Sequence, residues 1–250
     1  RMPGSSLSIS GPNFMLNTAV AESLSQFADI LEKEDDFSTG VDKLLRNTLK
    51  KHARIIFNDD NYSDEWVKEA KRRGLLNLAS TPEALPYFIA DKNIKLFETH
   101  GILTRDEVVS RYEIMLENYS KVINIEALTM LEMARQDIIP AVCEYIKLLS
   151  DETAAKKLVC ASVNCSMEEN LISALSDKLS ALFENLEELD KEVHTAHNMS
   201  GAQKAAEYYH DTVLARMEKV RGIADYMEVY TAKEYWPFPT YGDLLFSIQE

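Results

Sequence analysis

Apolar residues recur every three or four positions along most of the chain, which is the spacing of one face of an α-helix. We predict a first helix from Pro12 to Glu32 and a second from Val41 to Phe57. A run of charged residues and a Ser-Thr-Gly turn separate them, so a domain boundary is predicted after residue 34. The apolar face of the first helix is formed by Leu16, Ala19, Val20, Ser23, Leu24, Phe27 and Leu31.

The middle of the chain is predicted to be a loop-rich connector with short helices. One runs from Asp64 to Arg73 and is stopped by Gly74, because glycine readily adopts the left-handed conformation that ends a helix. Another begins at Thr81, where Pro82 follows, and helical structure continues to about His100.

Three long helices are predicted beyond this connector. Thr104 and Glu107 form a capping box, and the helix after it continues to about Leu149 with a kink at Pro140. Ser166 and Glu169 repeat the capping box before a second long helix. A third follows the turn at residues 198–201 and ends near residue 233.

Two of these helices carry continuous apolar stripes. The stripe of the second is Leu171, Leu175, Leu179, Leu182, Leu186, Leu189, Val193 and Ala196, with coiled-coil spacing. The stripe of the third is Tyr209, Val213, Arg216, Val220, Ile223, Met227 and Tyr230, with Arg216 as its polar interruption. We therefore predict an all-α fold, a long antiparallel bundle with coiled-coil-like packing, because side-by-side packing buries the stripes together. Such a bundle favours an assembly role.

Composition and charge narrow the class of protein further. The 250 residues contain only 8 Gly and 7 Pro, which agrees with long helices. The 27 Lys and Arg against 41 Asp and Glu give a net charge of −14, which disfavours a nucleic-acid partner. Three cysteines are too few for a disulfide framework and indicate free thiols in the cytoplasm. No membrane span or signal peptide is predicted, and we expect the chain to be part of a longer polypeptide.

Clusters of polar residues give no catalytic or metal site. His194 and His197, with Glu192 and His210 nearby in sequence, lack a further ligand, so no metal binding is predicted. Cys160 and Cys165 lack a partner pair for zinc. The basic clusters are interpreted as charges that complement helix ends, and the acidic run as a solvated face. These clusters are Lys50, Lys51 and Arg54; Lys71, Arg72 and Arg73; and Glu184, Glu187, Glu188, Asp190 and Glu192.

The aromatic segment from Tyr235 to Phe246 differs from the rest of the chain. It contains five aromatic residues, while Pro237 and Pro239 interrupt any helix. We predict that it packs in an extended conformation, either on its own bundle or on a neighbouring domain or subunit.

Both ends of the sequence resemble the type III glutamine synthetases. The segment Arg1-Met2-Pro3-Gly4-Ser5-Ser6, with residues Pro12-Asn13 and 16–22 after it, is similar to the end of their catalytic domain. The segment Tyr235-Trp236-Pro237-Phe238-Pro239-Thr240-Tyr241 is similar to their carboxyl terminus. The helical region between resembles the C-terminal extension that distinguishes this branch.

The resemblance implies a part of an enzyme that joins ammonia to glutamate with ATP and magnesium, in a homo-oligomer. Residues 1–34 would end the catalytic domain, and residues 35–250 would form the helical extension with its aromatic tail. Arg1 matches the family arginine that contacts substrate, whereas the ATP and magnesium ligands would lie upstream, so no cofactor is expected on this chain. The alternative is a stand-alone helical adaptor or scaffold, which an upstream catalytic domain would exclude.

Overall fold

The computed structural model describes residues 8–58, 63–239 and 241–246, and within these ranges all regular structure is helical. The predicted all-α fold is thereby confirmed. The chain divides into two compact units, Arg1–Met115 and Leu116–Glu250.

The first unit is built from short and medium helices. They are α1 (Ser10–Leu31), α2 (Phe37–Lys51), a 3₁₀ turn (Ala53–Ile55), α3 (Asp64–Arg72), α4 (Thr81–Phe88), α5 (Asp91–Thr99) and the beginning of α6 (Arg105–Met133). The connector prediction is accurate, since Gly74 and Gly101 end α3 and α5 with φ of 69° and 62°. α2 begins four residues earlier than predicted because the Asp36 carboxylate accepts a hydrogen bond from the Thr39 backbone N–H.

A compact apolar cluster holds this unit together. Phe88 of α4, Ile94 and Phe97 of α5, Leu103 and Val108 form its buried centre. The rings of Phe88 and Phe97 are 5.8 Å apart. Because α1, α4, α5 and the start of α6 all contribute side chains, this cluster fixes α1 against the connector helices.

The first part of α1 buries a different face from the one predicted. Phe14, Met15 and Thr18 face the cluster, with Thr18 only 3% exposed. Leu16, Val20 and Leu24 of the predicted apolar face are 57% to 61% exposed. The helix is apolar on two sides, so its sequence alone does not identify which side packs within this unit.

The second unit is a bundle of long helices. It contains the remainder of α6, a π turn (Ala134–Ile138), α7 (Ile139–Val159), α8 (Ser166–His197), α9 (Ala202–Tyr208), a second π turn (Tyr209–Leu214), α10 (Ala215–Tyr230) and α11 (Tyr241–Phe246). Ion pairs join Arg135, in the π turn before α7, to Asp190 and Lys156 of α7 to Glu168. Residue numbers therefore rise from the π turn through α7 as they fall along the facing part of α8. α7 and α8 are therefore antiparallel, as predicted.

The predicted kink at Pro140 takes the form of the first π turn. Pro140 lies in the first turn of α7, directly after Ala134–Ile138. Proline has no N–H to donate and its ring clashes with the carbonyl four residues earlier. The helix widens by a π turn at this point and then continues ten residues beyond the predicted end at Leu149.

One capping box is confirmed and the other is wrong. Glu107 accepts a hydrogen bond from the Thr104 N–H at 2.8 Å, and the Glu107 N–H donates to the Thr104 hydroxyl at 3.4 Å. At the start of α8, the Ser166 N–H donates instead to the Asn164 side chain. The Glu169 carboxylate is paired with Lys157, which removes it from the predicted cap.

The predicted stripes form the centre of the bundle. Leu175, Leu182, Leu186 and Leu189 of α8 are fully buried, and they share one cluster with Val213, Val220 and Met227. On the third helix the burial ends before Tyr230, which is 44% exposed.

Candidate functional site

The sequence-predicted substrate residue, Arg1, lies outside the described residues. The remaining candidate clusters lie within them.

His194 and His210 each have a local polar partner. The Asn198 side-chain nitrogen lies 3.3 Å from His194 Nδ1, and His210 pairs with its neighbour Asp211 at 2.7 Å. Glu192 pairs with Arg216. Among the residues that the structure describes, no three His, Cys, Asp or Glu side chains are close enough to hold a metal ion.

The basic cluster at the end of α3 forms a local aromatic and ionic contact. Arg73 donates to Glu69 at 2.6 Å and to the Ile56 carbonyl at 2.9 Å, and its guanidinium lies 5.5 Å from the Trp66 ring centre. Hydrogen bonds from Arg72 and Arg73 lower the pKa of Glu69 to about 2. Arg73 therefore connects α3 to the chain after α2. Both arginines complement the helix end, which agrees with their structural interpretation.

The acidic run on α8 is largely paired across the bundle. Arg135 donates to Glu187 at 3.1 Å and to Asp190 at 2.8 Å. Lys191 pairs with Glu188 at 3.1 Å. These partners are at least one-third exposed, so the run forms an ion-paired surface rather than a carboxylate dyad.

Arg216, the predicted polar interruption, has two polar partners on α8. Its Nη2 lies 2.9 Å from a Glu192 oxygen, and its Nη1 donates to the Asn185 side-chain oxygen at 3.1 Å. Exposure of the Arg216 and Glu192 side chains is 23% and 14%. A guanidinium directed at two fixed acceptors fixes the relative position of α8 and α10, since a shifted register would leave a charge without its partner.

Substituting Glu192→Gln should lower the free energy of unfolding by roughly 1 to 3 kcal/mol, because the half-buried Arg216 charge loses its counter-ion. The matched control is Glu117→Gln, whose exposed partner is Lys121 and whose expected effect is below about 0.5 kcal/mol. Urea titration followed by circular dichroism measures both. Equal effects for the two variants would contradict this role of Arg216.

The first part of the aromatic tail packs on its own bundle, which is one of the two predicted arrangements. Tyr235 lies 5.5 Å from the Tyr145 ring, and Trp236 and Phe238 pack against the bundle core. Trp236 and Phe238 line a groove of about 580 Å³, and apolar side chains of α6 and α10 form its walls. The prediction that the whole tail is extended is wrong, because Tyr241–Phe246 is helical. Pro239 lies before this short segment and therefore does not interrupt its helix.

Trp236→Ala should destabilise the second unit by about 2 kcal/mol, because a half-buried indole leaves the groove wall. Phe246→Ala is the control, since that side chain is 83% exposed and should contribute almost nothing. Thermal unfolding of both variants measures the difference. An unchanged melting temperature for Trp236→Ala would show that the tail does not support the bundle.

A polar contact that the sequence did not indicate joins α1 to α5. His100 Nε2 lies 2.7 Å from Glu22 Oε2, and the second Glu22 oxygen accepts from Gln26 at 2.7 Å. These hydrogen bonds, Gln26 first and then His100, lower the pKa of Glu22. The pair spans 78 residues, and no short motif or helical spacing links its members.

The three cysteines, Cys143, Cys160 and Cys165, are free. Cys143 is exposed, although the sequence places it in an apolar run.

Within the described ranges, the structure contains no helix with both the length and the apolar character to cross a membrane.

Comparison with known families identifies the region that these helices represent. Residues 40–157 match the family model of the glutamine synthetase C-terminal domain. This segment begins in α2 and ends in the last turn of α7.

Individual relatives extend the similarity to both ends of the chain. A glutamine synthetase of Butyrivibrio fibrisolvens is 42% identical over 215 residues, which cover 86% of this chain and 31% of that protein. The type-3 glutamine synthetase of Dictyostelium discoideum is 33% identical, covering 98% of this chain and 34% of that protein. A glutamine synthetase of Bacteroides fragilis strain YCH46 is 28% identical, covering 99% and 35%. The chain thus spans about a third of the length of these relatives, and it belongs to the glutamine synthetase C-terminal domain family.

Proposed function

We propose that this chain serves as the C-terminal region of a glutamine synthetase, an enzyme that ligates ammonia to glutamate with ATP and magnesium. The match of residues 40–157 to the family model carries this proposal. The relatives named glutamine synthetase support it over 86% and 98% of the chain. This membership favours part of an enzyme over a stand-alone adaptor.

The part played by this chain is structural or assembly-related. Its helices are connected by apolar packing and by ion pairs, and its described residues offer no group suited to a metal ion. We therefore assign ATP and magnesium binding to other parts of the longer polypeptide. The complete enzyme is proposed to be a homo-oligomer located in the cytoplasm.

Residues 1–34 are proposed to end the catalytic domain, with Arg1 as a substrate contact. Support comes from α1, whose Leu16, Val20 and Leu24 are exposed on one face. Apolar side chains in this arrangement are typical of a surface that is covered in the complete protein. The relatives are about three times as long as this chain, and we assign the covering surface to the part of the polypeptide that corresponds to their additional sequence. Residues 35–250 then form the helical extension.

The test compares the full-length polypeptide with the 250-residue chain in an assay for glutamine formation. The full-length polypeptide should form glutamine only when glutamate, ammonia, ATP and magnesium are all present. The 250-residue chain alone should be inactive, because phosphoryl transfer requires charge neutralisation that its described residues do not supply. Activity of the purified chain, or no activity of the full-length polypeptide, would contradict the proposal.

A further inference from the structure

α1 has two apolar faces that point in opposite directions. Phe14 and Thr18 face the cluster of the first unit, while Leu16, Val20 and Leu24 face away from it. At about 100° per residue, the centres of these two sets are separated by roughly half a turn of the helix. One face is covered by the connector helices, and the other is available to bind another domain or subunit.

The covered face is held by contacts of different kinds along α1. Near its beginning, the Phe14 ring lies 5.8 Å from Phe97 of α5 in an edge-to-face arrangement. One turn later, Thr18 is buried and its hydroxyl donates to the Phe14 carbonyl at 2.6 Å. The next turn carries Glu22, which pairs with His100 just after α5. The contact therefore extends over three successive turns.

The hydrogen bond between Glu22 and His100 is the directional part of this interface. Glu22 is faced by Gln26 from its own helix and by His100 and Lys95 from the α5 side. The Glu22 and His100 side chains are 33% and 21% exposed, so solvent only partly screens their interaction. Apolar contacts tolerate small rotations of a helix, whereas a 2.7 Å hydrogen bond constrains both rotation and translation.

We propose that His100 is a positioning residue of the synthetase: by binding Glu22 it fixes α1, and through the exposed face of α1 it fixes the catalytic domain against the helical extension. This proposal rests on the proposed function, because it requires residues 1–34 to belong to the catalytic domain. The rest of the longer polypeptide is the partner of the exposed face. The relatives, three times as long as this chain, contain sufficient additional sequence to provide it. His100 therefore acts on catalysis through α1 and not by contact with substrate.

The test measures glutamine formation by the full-length polypeptide in four forms: unsubstituted, His100→Gln, Glu22→Gln and the double variant. Each single substitution should lower kcat on the order of tenfold, because a small displacement near an active site is sufficient for such a loss. KM for ATP should remain unchanged. The double variant should be no slower than either single variant, since both remove the same contact. His52→Gln is the matched control, because His52 is exposed at the end of α2.

A second measurement is independent of catalysis. Hydrogen exchange of the 250-residue chain should become faster in α1 after His100→Gln, and should not change there after His52→Gln. Unchanged exchange in α1, or additive losses of kcat in the double variant, would overturn the inference. If the unsubstituted full-length polypeptide forms no glutamine, the proposed function fails, whereas normal activity of both single variants overturns the positioning role alone.

Discussion

Leu186→Ala should lower the free energy of unfolding of the second unit by about 2 to 5 kcal/mol. Leu186 is fully buried in the middle of α8, within the cluster that joins α6, α7, α8 and α10. Its truncation removes apolar contacts and leaves a cavity, because neighbouring side chains on three helices cannot all move into the space. A loss of this size is a large fraction of the stability of a typical domain.

The two tryptophans allow the units to be measured separately. Trp66 lies in the first unit and Trp236 in the second. In a Trp66→Phe background, fluorescence during urea unfolding reports on the surroundings of Trp236. The control is Leu158→Ala, since that leucine is 89% exposed and its loss should change stability by less than about 0.5 kcal/mol. Similar urea midpoints for the Leu186 and Leu158 variants would contradict the central position of Leu186.

Arg1→Ala in the full-length polypeptide should reduce turnover by about 100- to 1,000-fold, equivalent to roughly 2.7 to 4 kcal/mol of transition-state stabilisation. This expectation follows from the proposed role of Arg1 as a substrate contact. Charge develops on the reacting groups during phosphoryl transfer, and an arginine that binds this charge more strongly in the transition state raises the rate. Thermal stability should change little, because the substitution removes a substrate contact and no apolar core.

Arg1→Lys is the informative second variant. Lysine retains the positive charge but cannot reproduce the planar pair of donors, so little activity should return. Steady-state kinetics together with the melting temperature and oligomer mass measure the outcome. Near-normal turnover of Arg1→Ala in a correctly assembled enzyme would exclude Arg1 from the site.

The interior of the bundle could be predicted from the sequence because its signal is long and repetitive. Eight apolar positions of α8, from Leu171 to Ala196, follow one stripe, and no other face of that helix is equally apolar. The position of Arg216 in the facing stripe was also predictable. Its partners were not, since Glu192 is one of several acidic residues on α8 and only the packing brings it within 2.9 Å.

Predictions from short sequence motifs fail where another residue binds the side chain or N–H group that the motif requires. The Ser166 capping box failed because Lys157 takes the Glu169 carboxylate and Asn164 accepts from the Ser166 N–H. The apolar face predicted for α1 is exposed at Leu16, Val20 and Leu24, because the helix is apolar on two sides. The Glu22 contact with His100 depends on a tertiary approach over 78 residues, for which helical periodicity contains no information.

The second π turn, Tyr209–Leu214, affects how the helix formed by α9 and α10 responds to the loss of a residue. A π turn contains about one residue more than an α turn, so it takes up an extra residue while the helix beyond it keeps its alignment. Deleting one residue here would restore a regular α-helix and leave Val220, Ala224 and Met227 in the core. The same deletion within regular α10 would instead turn every later side chain by about 100°. Natural sequence variation should therefore favour single-residue deletions in Tyr209–Leu214 over deletions in α10.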